Sequence, residues 1–145
     1  MDDLDRFVEA QERKYFFALE EIKNGRKRSH WIWYVFPQLK GLRHSYRSNF
    51  YGIKDEEEAK SYLDHPILGP RLKEITQALL DLPKELTARE ILGRIDALKV
   101  KSSMTLFYQV SKEDLFLRVL NRFYDGCQDQ YTINILNKGR HENVL

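Results

Sequence analysis

The chain has 145 residues, 42% hydrophobic and 32% charged, with a formal net charge of +2. That length points to one domain able to bury roughly two thirds of its unfolded surface, and that composition excludes a disordered chain. The near balance of charge excludes nucleic-acid binding over the whole surface, and leaves only a local basic patch for that role.

Taken in chain order, "LDRFVEAQERKYFFALEEIKNG" sets Leu4, Phe7, Val8, Gln11, Tyr15, Ala18, Leu19 and Ile22 on one helical face. Asp2, Asp3 or Asp5 can cap its start, and Asn24-Gly25 is its stop. Ser29 is positioned to cap a short helix over "HWIWYVF", ended by Pro37. "QLKGLRHSYRSNFYGI" has no clean period and reads as a loop with at most one helical turn. Asp55 and Glu58 make a capping-box pattern before "EEEAKSYLDH".

The next segment repeats Leu68, Leu72, Ile75, Leu79 and Leu82, with Pro70 in the first turn and Pro83 past the end. Thr87 and Glu90 repeat the capping box, and Asp96 can cap "ALKVKSSMTLFYQV". Ser111 and Asp114 open a helix that places Leu115, Val119, Leu120 and Phe123 together and stops at Gly126. Asp129 caps the last helix, over "QYTINILNKG". No alternating strand or hairpin dipeptide between strand-like runs is found. The expectation is an all-α, single-domain, irregular or orthogonal bundle of about seven or eight helices, with the domain over 3–137 and a frayed tail over 138–145.

The single cysteine, Cys127, cannot form an internal disulfide, so a reducing compartment is the natural setting. "MDDLDRF" does not read as an export signal, and no apolar run nears the length of about 20 residues needed to span a bilayer. A cytoplasmic location with no membrane partner is expected.

Two stretches offer chemistry. In "RKRSHWIWYVFPQ" the cations Arg26, Lys27 and Arg28 precede Ser29 and His30 at a helix start, where N–H groups and the dipole favour an anion. Trp31 and Trp33 either wall a ligand there or anchor the core. In "LKVKSSMTLF", Lys99 and Ser103 stand one turn apart, the spacing a lysine-activated serine needs. The plainer reading has the hydroxyls of this helix bonding the carbonyls of the turn before. His65, ahead of Pro66, is a helix-end cap or a further site residue. No metal-ligand spacing, GxGxxG or phosphate loop occurs, so neither a metal nor a cofactor is expected.

Four ordered pieces, "GRKRSHWIWYVFPQLKGL", "YGI…EAKSYLDHPILGPRL", "DALKVKSSMTLF" and "VLNRFYDGCQDQYT", resemble the bacterial and fungal family called domain of unknown function 1810. The resemblance runs from about Asp5 to about Leu136, and implies an all-helical single domain. Its shared polar positions match Arg28, His30, Gln38, His65, Lys99, Ser102, Ser103, Thr105, Asp125 and Asp129 here. Members sometimes carry the label calpastatin, but a disordered inhibitor segment does not match a chain with this hydrophobic content and these caps.

Residues and resemblance together lead to a pocket for a small anionic ligand, nucleotide- or sugar-phosphate-like, with metal-independent hydrolysis or group transfer as its chemistry. The catalytic candidates are His30, Lys99 and Ser103. The ligand-binding candidates are Lys27, Arg28, Ser29, Trp31, Trp33, Gln38, His65, Ser102 and Thr105. One alternative is a protein-interaction or structural domain without catalysis. Another is a nucleic-acid module using the 26–28 segment with Arg43, Arg47, Arg71 and Lys73.

Overall fold

A computed structural model describes the backbone of residues 3–144 and the side chains up to residue 142. Asp2, one of the expected caps, and Leu145, in the expected tail, lie outside the described residues. Nine helices occur among the described residues: α1 (Asp5–Lys23), α2 (Ile32–Val35), α3 (Tyr46–Phe50), α4 (Glu56–Asp64), α5 (Leu68–Leu80), α6 (Ala88–Leu92), α7 (Arg94–Ser111), α8 (Asp114–Tyr124) and α9 (Gln130–Val144). The fold is all-α, and its count is slightly above the seven or eight expected because the stretch read as a loop holds α3, a single turn.

α7 is the centre of the bundle and packs against α2, α4, α6, α8 and α9. Its buried residues include Ala97, Val100, Ser102, Ser103, Met104, Thr105, Leu106 and Phe107, which cover much of its circumference. A helix with neighbours on most sides has no solvent face to alternate with. That is why its sequence carries only a weak helical period. Small side chains at Ser102, Ser103 and Thr105 let those neighbours approach closely.

The outer helices follow the sequence pattern more directly. α1 buries Phe7, Gln11, Tyr15, Ala18, Leu19 and Ile22, and ends at Asn24 with Gly25 at φ +82°. α5 buries Leu68, Leu72, Ile75 and Leu79, and Leu82 just beyond it is also buried. α8 turns Phe116, Val119 and Leu120 inward. Phe116, which the spacing left out, takes the fully buried place, and Leu115 is half-buried.

The caps divide. Thr87 and Glu90 form a complete capping box on α6. Asp55 caps α4, but Glu58 reaches the Lys54 N–H and Arg6 rather than the cap residue's own N–H. Ser29 caps nothing: α2 begins after Trp31. Asp96 lies inside the first turn of α7, whose N-cap is Gly93.

Between α2 and α4 the chain makes an isolated parallel bridge, Leu39 to Ile53. Lys40 N–H donates to the Ile53 carbonyl and Ile53 N–H to the Gln38 carbonyl, both at 2.8 Å. The segment 41–51, with α3 inside it, therefore leaves and returns at one point, an Ω-loop. Arg6 fastens its returning end, donating to the carbonyls of Phe50 (2.8 Å) and Gly52 (2.9 Å). α3 itself buries no residue. No helix among the described residues is long and apolar enough to cross a membrane.

Candidate functional site

The basic-aromatic stretch is strapped down by acids from two helices. Glu21, near the end of α1, accepts from the Arg28 N–H (2.8 Å), the Ser29 N–H (3.0 Å), the Ser29 hydroxyl (2.6 Å) and the Trp31 indole N–H (2.9 Å). Burial opposes its charge, but the bonds from Ser29, Arg28 and Trp31 outweigh that and bring its carboxyl down to about 2. The anion gathered by this stretch is thus the protein's own. Sequence spacing could not find it, because Glu21 comes from a different element.

The second strap is Asp96. Its carboxylate pairs with Lys27 at 2.7 Å and Lys99 at 3.6 Å. Lys27 also donates to the Ser29 carbonyl, and its ammonium lies 4.9 Å from the centre of the Trp31 ring. Trp31 is fully buried and packs on Phe36. Arg28, Ser29 and His30 are exposed on the outside of this strap. The His30 carbonyl accepts a long bond, 3.4 Å, from the Tyr34 hydroxyl.

The hydroxyls of α7 serve two ends. Ser102 donates to Asp129 Oδ2 (2.9 Å) and also lies 3.2 Å from the Leu98 carbonyl. Thr105 donates to the Lys101 carbonyl (2.8 Å) and accepts from the Asp129 N–H (2.9 Å). Asp129 further holds Thr132, so this cluster docks the start of α9 on α7. Ser103 differs. It is fully buried, and its hydroxyl has no hydrogen-bond partner among the described residues. His65 accepts at Nδ1 from the N–H groups of Ile67 (3.1 Å) and Leu68 (3.3 Å), which caps the start of α5.

Trp33 sits where these parts meet. Lys99 of α7 and Arg47 of α3 both lie over its ring, each 4.8 Å from the centre. Its indole N–H is buried and unpaired among the described residues. Trp33 walls a cleft shared with Gln38, Arg43, Arg47 and Tyr51. Gln38, only 8% exposed, accepts from Arg43 at 2.6 Å, which leaves its amide N–H groups without a partner among the described residues.

Burial holds the Arg43 pKa below the ordinary arginine value, and only the more distant charge of Asp129 counters it. Neither Arg43 nor Arg47 has an ion-pair partner among the described residues. Every side-chain group so described around the cleft has a donor to offer. Of these only the Trp33 indole N–H is both fully buried and unpaired among the described residues, Arg43 being half-buried and Arg47 exposed. A buried unpaired donor costs about 1–3 kcal/mol, so this one is not explained by packing.

Of the residues singled out from the sequence, Trp33 and Gln38 line this cleft, with Lys99 over the Trp33 ring and Ser103 one turn along the same helix. Lys27, Arg28, Ser29 and Trp31 belong to the Glu21–Asp96 strap, and Ser102 and Thr105 to the α9 dock. His65 stands at the α4–α5 junction. Arg43 and Arg47 entered the sequence reading only as nucleic-acid cations, because their loop has no period that would place them against Trp33.

The comparisons with known proteins agree with this architecture. No curated protein matches the chain. The crystal structure of the conserved hypothetical protein Rv1873 from Mycobacterium tuberculosis is similar, with 44% identity and a TM-score of 0.91, over 93% of this chain and 96% of that one. The sequence pattern of the family described as "Protein of unknown function (DUF1810)" matches residues 1–136. With four ordered motifs, an all-helical fold and a match over nearly its whole length, the chain belongs to that DUF1810 family.

Proposed function

We propose that this protein binds a small anionic ligand in the cleft beside Trp33. The observation that carries this reading is the buried, unpaired Trp33 indole N–H in a cleft bordered by Gln38, Arg43 and Arg47. A buried N–H is left unsatisfied at a cost, and an oxyanion would accept from it while facing the two guanidinium groups. Lys99 adds positive charge over the ring, partly offset by Asp96.

The reading is of binding, and it assigns no bond-breaking step to His30, Lys99 or Ser103. His30 is exposed, Lys99 is paired and Ser103 is sealed from solvent. A nucleic-acid module would need bare aromatic faces for stacking. Trp31 is buried and Trp33 lies under two cations, which weighs against that alternative. The lone thiol of Cys127, exposed on the surface, suits a reducing cytoplasmic setting.

The test is thermal unfolding with a panel of small anions at constant ionic strength, for the native chain and for Arg43→Gln/Arg47→Gln. A ligand at a hundred times its Kd is expected to stabilise by about 2.7 kcal/mol, a rise of several degrees in Tm. The double variant is expected to lose that rise. Equal rises in both proteins, or none with any anion, would sink the reading.

A further inference from the structure

We propose that the group seated in this cleft is the phosphoryl end of a small phosphomonoester, an inference that rests on the anion-binding reading above. The number and origin of the donors argue for it. Trp33 comes from α2, Gln38 from the segment after it, and Arg43 and Arg47 from the Ω-loop. A carboxylate is planar and has two oxygens. A phosphoryl group presents three terminal oxygens in different directions and accepts paired bonds from guanidinium groups.

Charge points the same way. Two guanidinium groups stand without a carboxylate partner among the described residues, while Lys99 shares Asp96 with Lys27. A phosphomonoester carries a charge of about −1.5 to −2 near neutral pH, which complements two arginines that have no ion-pair partner among the described residues. The cations over the Trp33 ring also argue against a ligand held by stacking.

Size sets the mode of entry. As it stands, the cleft has about 10 Å³ of free volume, room for a single water-sized group. A phosphoryl head is larger than that, so the seat must widen to admit it, and the body of the ligand remains outside. Arg43 and Arg47 both ride on the loop whose ends meet at the Leu39–Ile53 bridge. A small outward swing of that loop opens the seat, and its return brings both arginines onto the phosphoryl oxygens.

The two tryptophans make the test direct. In a proton–nitrogen correlation spectrum of the full chain each indole N–H gives one signal, and Trp33→Phe assigns them. Trp31 donates to Glu21 and serves as the internal control. The titrants are inorganic phosphate, glucose 6-phosphate, sulfate and acetate at constant ionic strength.

The Trp33 signal is expected to move saturably with the two phosphoryl compounds while Trp31 stays in place. Binding of glucose 6-phosphate is expected to weaken about tenfold from pH 7.5 to pH 5, as the second proton of the ester is taken up near pH 6. Arg43→Gln is expected to weaken it at least tenfold. Tighter binding of glucose 6-phosphate identifies the ester as the occupant, whereas equal or tighter binding of inorganic phosphate removes the ester and leaves free phosphate. A saturable response to acetate and sulfate as strong as to phosphate, and flat with pH, overturns the phosphoryl assignment but leaves an anion site. No movement of the Trp33 signal with any titrant overturns both.

Discussion

Glu21 shows how one carboxylate can organise a segment remote from it in sequence. Its four bonds come from two backbone N–H groups, a hydroxyl and an indole, and all strengthen with its charge. The folded carboxyl titrates near 2 against an ordinary 4.5. An acid depressed in this way stabilises the fold fully above its unfolded pKa, and that contribution is lost as pH falls through the folded one. Stability from this group is therefore complete above about pH 5 and declines between about pH 4.5 and pH 2. Glu21→Ala is expected to lower stability by about 1–3 kcal/mol at pH 7. Denaturant titrations at pH 7, 4 and 3 check it: the gap from the native chain must narrow toward low pH. A gap of constant size would mean that packing, not charge, is what the substitution removes.

Among the elements, α4 and α5 meet closely at Gly69. A Cβ on Gly69 would lie 2.0 Å from the Leu63 carbonyl oxygen, a contact with backbone that cannot move aside cheaply. His65 meanwhile holds the first N–H groups of α5, so the two helices cannot separate without losing that cap. Gly69→Ala is expected to cost about 3 kcal/mol or more, or to prevent folding. Unfolding by denaturant checks this, with the half-buried Gly139→Ala in α9 as a control that meets nothing within 4 Å. α9 shows a different attachment. Asp129 binds its start to α7, and Arg140 reaches Glu56 on α4 at 2.8 Å, which carries side-chain contacts into the stretch read from sequence as a tail.

At the scale of the molecule, stability should fall from α7 outward. α7 lies among five other helices, whereas the 41–51 loop buries none of α3. Local opening draws on regions with little buried contact. Hydrogen exchange is expected to be fastest in residues 42–51 and slowest in 100–107, with the loop slowed when a phosphoryl ligand is bound. Exchange of the loop and α7 at a common rate would show that the loop is part of the cooperative core, and would remove the route of entry proposed for the cleft.

The amino-acid sequence by itself determined the class of the fold, the stop of α1 at Asn24 and Gly25, the buried face of α5, the capping box on α6 and the family. These rest on local rules: helical period, caps and stops act over a few residues, and so can be read along the chain. It did not determine where the cations of 26–28 and 43–47 point. Only the tertiary structure decided that Glu21 and Asp96 occupy the first group while Arg43 and Arg47 close on Trp33. The partners in both cases come from other elements, and an electrostatic or hydrogen-bonded contact depends on distance in space, which a single sequence does not encode at those ranges.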